Sequence, residues 1–95
     1  MKIGDIDAFA AVIRCQSLSQ AAHELGITQP AITRRVQNLE EALGVELLDR
    51  NTKPPRPTDL GRRVHDQCRA VLREVEALRE MVRATQPPAG AFRLG

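Results

Sequence analysis

Aromatic residues are nearly missing from this chain of 95 residues, which has two Phe, no Tyr and no Trp. Proteins that hold single-stranded nucleic acid stack unpaired bases on aromatic platforms, so the composition argues against that mode of binding. Cysteine is scarce too. Cys15 and Cys68 lie far apart and form no Cys-x-x-Cys pair, which makes a reduced, cytosolic chain the expectation. The longest apolar run, Ala8 to Ile13, is far too short to span a bilayer. No basic segment followed by an apolar stretch and a cleavage site opens the chain, so no signal peptide is expected. An excess of one charge is also lacking: 14 Lys+Arg stand against 12 Asp+Glu, for a net +2. That balance is too mild to announce a nucleic-acid binder by bulk charge. These exclusions leave a soluble, intracellular, largely helical module, either one small domain with an appendage or one extended domain.

Turn residues and caps divide what is present. Ile3, Ile6, Phe9, Ala10 and Ile13 recur at helical spacing and predict a first helix over 3–15, with Asp5 and Asp7 near the positive end of its dipole. Ser17-Leu18-Ser19-Gln20 reads as a capping box. The short helix it opens turns Leu18, Ala21, Ala22 and Leu25 inward and stops at Gly26, a fitting left-handed terminator. Only Gly26 and Ile27 separate that stop from the next start, where Thr28 is the cap and Pro30 lies in the first turn. This helix, 28–43, ends at Leu43-Gly44, and the pair matches a helix-turn-helix unit. Val45 to Arg50 is a short strand candidate. Asn51 to Pro57 cannot be helical, because Pro54, Pro55 and Pro57 fall within it, and the prolines demote any returning strand. Thr58 and Asp59 cap a last helix running to about Gln86, where Pro87-Pro88 ends it. At 1.5 Å per residue that helix is about 40 Å long, longer than the domain before it is expected to be wide.

The helix 28–43 carries the sharpest chemical signal. Ile32, Val36, Leu39 and Leu43 form one narrow apolar stripe, while Gln29, Pro30, Thr33, Arg34 and Gln37 fall on the other side. Those types suit base edges: Gln pairs with adenine, Arg with guanine, and Thr or an apolar ring touches a thymine methyl. Glu40 and Glu41 follow on much the same side, where phosphates would repel them, so the N-terminal end should enter the groove and the C-terminal end tilt away. An ordinary solvated helix face is the plainer alternative, and the tight two-helix geometry counts against it. Arg35 lies near the apolar stripe and suits a phosphate or an internal carboxylate. Arg50, Lys53 and Arg56 then bring three cations and no acid into the loop 50–58. As the wing of a winged helix, that loop would lie along the backbone or enter the minor groove; taken alone it would be a solvated charged turn.

The last helix has a pattern of its own. Val64, Cys68, Val71, Val75, Leu78 and Val82 alternate spacings of four and three, a heptad seam flanked by the i,i+3 pairs Asp66/Arg69, Glu76/Arg79 and Glu80/Arg83. A helix folding back on its own domain would explain it in part. The overhang of so long a helix, however, predicts a partner for its apolar stripe, and a second copy is the expectation. His23 and His65 are isolated, and no nucleophile elbow, zinc-protease or phosphate-loop motif is present. His65 and Cys68 could offer two metal ligands, too few for a site. No enzyme activity, metal or cofactor is expected.

Together these residues resemble the N-terminal DNA-binding domain of a LysR-type transcriptional regulator. The resemblance is carried by Ala8-Phe9, Ser17-Leu18-Ser19-Gln20-Ala21-Ala22, Leu25 through Arg34, Leu39-Glu40, Leu43-Gly44-Val45, Leu47-Leu48-Asp49-Arg50 and Thr58-Asp59-Leu60-Gly61, in order and over about two-thirds of the chain. It implies a mainly α winged helix-turn-helix with a short β-hairpin wing and a long C-terminal linker helix that pairs antiparallel into a homodimer. It places Gln29, Pro30, Thr33 and Arg34 at base-contacting positions and Arg50, Lys53 and Arg56 at backbone or minor-groove positions; Thr28 is a further candidate for a backbone contact. It further implies binding to interrupted palindromes in promoters, higher oligomers of the full-length protein, and a cytoplasmic, nucleoid-associated bacterial regulator. Pro55 and Pro57 depart from the residues that usually form the wing's second strand. The implied division is a winged domain over 1–58, a linker and dimerisation helix over 59–86, and a hinge over 87–95. Ala91 to Gly95 look like the start of an effector-binding domain, so a fragment without inducer sensing is expected. The alternative is a coiled-coil protein-interaction module, which explains Val64 to Val82 but leaves the Gln29 to Arg34 face unused. Charge distribution fits the first reading better than charge sum. Residues 1–58 hold seven basic and seven acidic side chains, yet 28–37 and 50–58 hold basic ones only.

Overall fold

The computed structural model describes residues 1–85. Four helices and one minimal hairpin follow in the order α1 (Ile3–Cys15), α2 (Leu18–Leu25), α3 (Gln29–Leu43), β1 (Leu48–Asp49), β2 (Arg56–Pro57) and α4 (Asp59–Thr85). The caps explain the boundaries. Ser17 Oγ accepts the Gln20 N–H at 3.1 Å and opens α2, and Thr28 Oγ1 accepts the Ala31 N–H at 3.2 Å and opens α3. Each hydroxyl satisfies a donor that has no partner within its helix. Gly26 (φ 69°) and Gly44 (φ 71°) close α2 and α3 in the left-handed region, where a side chain would be strained. Gln16 (φ 54°) adopts the same conformation without being glycine.

α1 is the central helix and packs against α2, α3 and α4. Ala8, Ala11, Ala21 and Ala22 are buried, and side chains this small let α1 and α2 approach closely. Phe9 is fully buried at 0% exposure, in one core with Ile32, Val36, Leu39 and Leu47. Burying a side chain of that size stabilises the fold by about 2–3 kcal/mol. Two residues expected on inward stripes lie at helix ends instead and stay exposed, Ile3 in α1 and Leu43 in α3.

The strand expected over Val45 to Arg50 shrinks to two residues. Leu48 pairs with Pro57 and Asp49 with Arg56, antiparallel. A side chain competes for the missing ladder: Glu40 Oε2 accepts the N–H of Leu47 at 2.7 Å and of Leu48 at 3.2 Å. On the return side Pro57 has no N–H to give, and the Thr58 N–H reaches the Leu47 carbonyl at 3.0 Å. Thr58 also opens α4, its Oγ1 accepting the Gly61 N–H at 2.9 Å.

α4 makes the molecule elongated, 54 × 25 × 20 Å. Its N-terminal half lies on the domain, with Cys68 in the core and Val64 and Leu72 packed against it. The C-terminal half, from Glu76 onward, is exposed throughout. No helix among the described residues is long and apolar enough to cross a membrane. The hinge reading of 87–95 lies outside the described residues.

Candidate nucleic-acid interface

The exposed polar face of α3 is set from the inside out. Ile32, Val36 and Leu39 are at most 1% exposed, which fixes the rotation of the helix about its axis. With that rotation set, Gln29, Pro30, Arg34 and Gln37 are exposed and Thr33 is half-buried. This matches the arrangement expected from the sequence. Thr28, at the N-cap, is exposed but already spends its hydroxyl on the Ala31 N–H. Arg34 forms no ion pair within 4.0 Å among the described residues, so its guanidinium is uncommitted. Pro30, in the first turn, removes one backbone donor where the helix leaves it unused.

The hairpin supplies the second group. Lys53 and Arg56 are exposed, on the connecting loop and on β2 respectively. The loop is held from within: Asp49 Oδ1 accepts the Asn51 N–H at 2.9 Å, while Thr52 Oγ1 lies 3.2 Å from the Asp49 carbonyl and 3.1 Å from that of Pro54. Arg50 is tied to α3. Its Nη2 donates to Glu40 Oε1 at 2.8 Å and its Nη1 to Oε2 at 3.3 Å. α3 and the root of the hairpin are thus joined through a single carboxylate.

The family described as bacterial regulatory helix-turn-helix protein, lysR family, matches residues 3–62. The chain belongs to that family. The probable cat1 operon transcriptional activator of Acinetobacter lwoffii is 43% identical over 75 residues, covering 79% of this chain and 25% of that protein. The HTH-type transcriptional regulator BenM of Acinetobacter baylyi is 33% identical over 95 residues, covering 100% of this chain and 31% of that protein. The chain therefore spans between a quarter and a third of these relatives. Among solved structures, the BenM DNA-binding domain in complex with benA site 1 DNA matches with a TM-score of 0.83 at 33% identity, covering 97% of this chain and 100% of that one.

For this LysR-family domain the sequence reading missed the part played by Glu40. It placed the residue on the groove-facing side, where phosphates would repel it. The structure turns its side chain, 12% exposed, onto the hairpin root. Burial alone would raise the carboxyl. The hydrogen bonds from Arg50 and from the N–H groups of Leu47 and Leu48 outweigh that effect and hold it below its ordinary value, and the same contact raises Arg50. The available signal was the pairing of an acid near the end of α3 with an Arg closing the Leu-Leu-Asp-Arg stretch. Arg35 forms no ion pair with a carboxylate among the described residues; its guanidinium lies over Gly4 at the start of α1.

The α4 seam divides. Cys68 is 5% exposed and the half-buried Val64 packs on the core, so these two, expected on a dimer seam, are already covered in part by their own domain. α1 claims the N-terminal half of the stripe because the helix lies directly on it. Val71, Leu78 and Val82 are exposed, joined by Met81 and Leu60, and Val75 is half-buried. Glu76–Arg79 and Glu80–Arg83 form the expected ion pairs, at 3.4 and 3.3 Å. Asp66 and Arg69 do not close to 4.0 Å, and Arg14 pairs with Glu24 instead of any α4 acid. His65 meets Phe9 edge-on, with ring centroids 6.3 Å apart. Burial and the nearby Arg69 cation push its imidazole down, and burial pushes the Cys68 thiol up.

Proposed function

We propose that this domain binds double-stranded DNA sequence-specifically as a homodimer and regulates transcription from promoters carrying an interrupted palindrome. α3 enters the major groove and reads base edges with Gln29, Pro30, Thr33, Arg34 and Gln37. Thr28, Arg50, Lys53 and Arg56 engage the backbone or the adjacent minor groove, and α4 pairs the two copies through Val71, Val75, Leu78 and Val82. Such a regulator works at the chromosome, in the cytoplasm. The observation that carries this reading is the exposed face of α3, held in register by a fully buried stripe behind it. The DNA complex of the similar BenM domain supports it.

Fluorescence anisotropy with the promoter next to the protein's own gene and a random duplex of equal length tests the reading. Arg34→Ala is expected to cost roughly 1–3 kcal/mol on the promoter and little on the random duplex, since only the former offers a bidentate base contact. Lys53→Ala should weaken both and reduce the salt dependence by about one ion. An unchanged promoter-to-random ratio for Arg34→Ala would remove the base-reading assignment. Strong self-association with no binding to either duplex at low salt would favour a protein-interaction module.

A further inference from the structure

We infer that Glu40 is a positioning residue for DNA binding: it latches the hairpin root and Arg50 to the recognition helix. The inference rests on the DNA-binding reading above and concerns a residue to which that reading gives no role.

Four hydrogen bonds converge on the one carboxylate. Oε2 accepts from the N–H of Leu47, the N–H of Leu48 and Nη1 of Arg50, and Oε1 accepts from Nη2 of Arg50. The partners stand seven, eight and ten residues further along the chain, across the turn that leaves α3. Glu40 itself sits one residue from Leu39, which is 1% exposed, so its backbone cannot swing without disturbing the core. A rigid helix therefore holds the start of β1, and through β1 the loop that bears Lys53 and the strand that bears Arg56. The fork on Arg50 also fixes that guanidinium's plane. Its Nε takes no partner among the described residues, and Arg50 stays 44% exposed, so a donor remains for a phosphate in a set direction. Holding cations at fixed spacing before binding removes ordering cost from the complex.

Positioning and plain electrostatics predict opposite signs for the same substitution. An acid close to DNA repels phosphates, so neutralising Glu40 should strengthen binding and steepen its salt dependence if charge alone matters. If Glu40 acts by placement, neutralising it should weaken binding, because the amide cannot accept all four donors. Sequence discrimination should be unaffected, since Gln29 to Arg34 are untouched.

The test uses the full chain, with Glu40→Gln measured on the promoter and random duplexes, alone and combined with Lys53→Ala. Circular dichroism melts set a temperature at which every variant is folded. We expect Glu40→Gln to lose about tenfold on both duplexes, the loss one misplaced charge-assisted contact implies. The Lys53→Ala effect should shrink in its background, because the loop that presents Lys53 is no longer held. A change in stability alone would not move that coupling. Amide exchange gives a reading without DNA: protection of the Leu47 and Leu48 N–H groups should fall in Glu40→Gln. Unchanged or tighter binding by folded Glu40→Gln, or strict additivity with Lys53→Ala, overturns the inference while leaving DNA binding intact. A wild-type chain that binds neither duplex overturns the DNA-binding reading and this role with it. Lost amide protection in that case would leave Glu40 as a structural clamp only.

Discussion

Adding a single methyl group at Gly61 should detach the long helix from the domain that carries it. Gly61 is the third residue of α4 and is buried. A Cβ built there would come under 3.0 Å from the Leu47 carbonyl oxygen and 3.2 Å from Thr58 Oγ1. Neither atom can turn aside. The Leu47 carbonyl accepts the Thr58 N–H at 3.0 Å, and Thr58 Oγ1 accepts the Gly61 N–H at 2.9 Å, so relief requires moving backbone and losing a cap. Two effects oppose each other in Gly61→Ala. Helix propensity favours Ala over Gly by up to about 1 kcal/mol, and less than that in a first turn. Overpacking against fixed atoms costs roughly 1–3 kcal/mol, and each compromised hydrogen bond adds about 1 kcal/mol. The balance is a net loss of about 2 kcal/mol, which for a domain of this size lowers Tm by roughly 10 °C. Urea and thermal melts of wild type and variant, at matched protein concentration so that the proposed pairing contributes equally to both, measure it directly. Equal or greater stability of Gly61→Ala would refute the close approach of α4 to Leu47 and with it the packing of the wing root described above.

The other expectations follow from burial and charge. Leu78 is 58% exposed and touches no core, so Leu78→Asp should leave the fold intact while breaking the pairing of α4. Losing an apolar contact of about 2 kcal/mol from each of two copies weakens the dimer roughly a thousandfold, and sedimentation velocity of a folded variant that remains dimeric would contradict the proposed seam. Glu40 sets an acid dependence. Its carboxyl lies below the ordinary 4.5 when folded, so its contribution is complete above that value and disappears as pH falls through the lower, folded one. Denaturant melts from about pH 3 to about pH 7 should show Glu40→Gln less stable at the neutral end and less sensitive to acid; parallel profiles would exclude the latch as a source of that sensitivity.

The parts of this fold that were legible are those determined locally. Ser17, Gly26, Thr28, Gly44 and Thr58 each act on backbone groups within a few residues, through a hydroxyl cap or a left-handed φ. Residue type and spacing therefore suffice to find them. The exposed face of α3 was legible for a related reason: a stripe as regular as Ile32, Val36 and Leu39 fixes what must lie opposite. What escaped depends on folding across distance. The strand Val45 to Arg50 looked longer than the observed Leu48–Asp49 because nothing local says that Glu40 will take the amides of Leu47 and Leu48. Nothing near Gly61 in the chain accounts for its being glycine, since the reason is a carbonyl fourteen positions earlier.

α4 shows how one apolar pattern can conceal two partners. Val64, Cys68, Val71, Val75, Leu78 and Val82 satisfy a heptad rule, and a heptad rule names one seam. The burial pattern separates two directions on the same helix. Gly61, Val64, Cys68 and Leu72 face the domain, whereas Leu60, Val71, Leu78 and Val82 are exposed; at 100° per residue the two sets point roughly 70° apart. A stripe that wide serves an intramolecular neighbour with one edge and leaves the other for a second surface. Leu72 discriminates between the two arrangements, because it lies outside the heptad series yet packs against the core. The exposed edge is continuous with Leu43 and Met1 around one groove beside α4, which Leu60, Val64 and Val71 also line. An antiparallel partner whose helix ran along that edge would bring its own Leu78 and Val82 toward the Leu60 end. Each helix would then cover apolar surface that its own domain leaves bare, which is why the proposed pairing needs the overhang of α4 as well as its stripe.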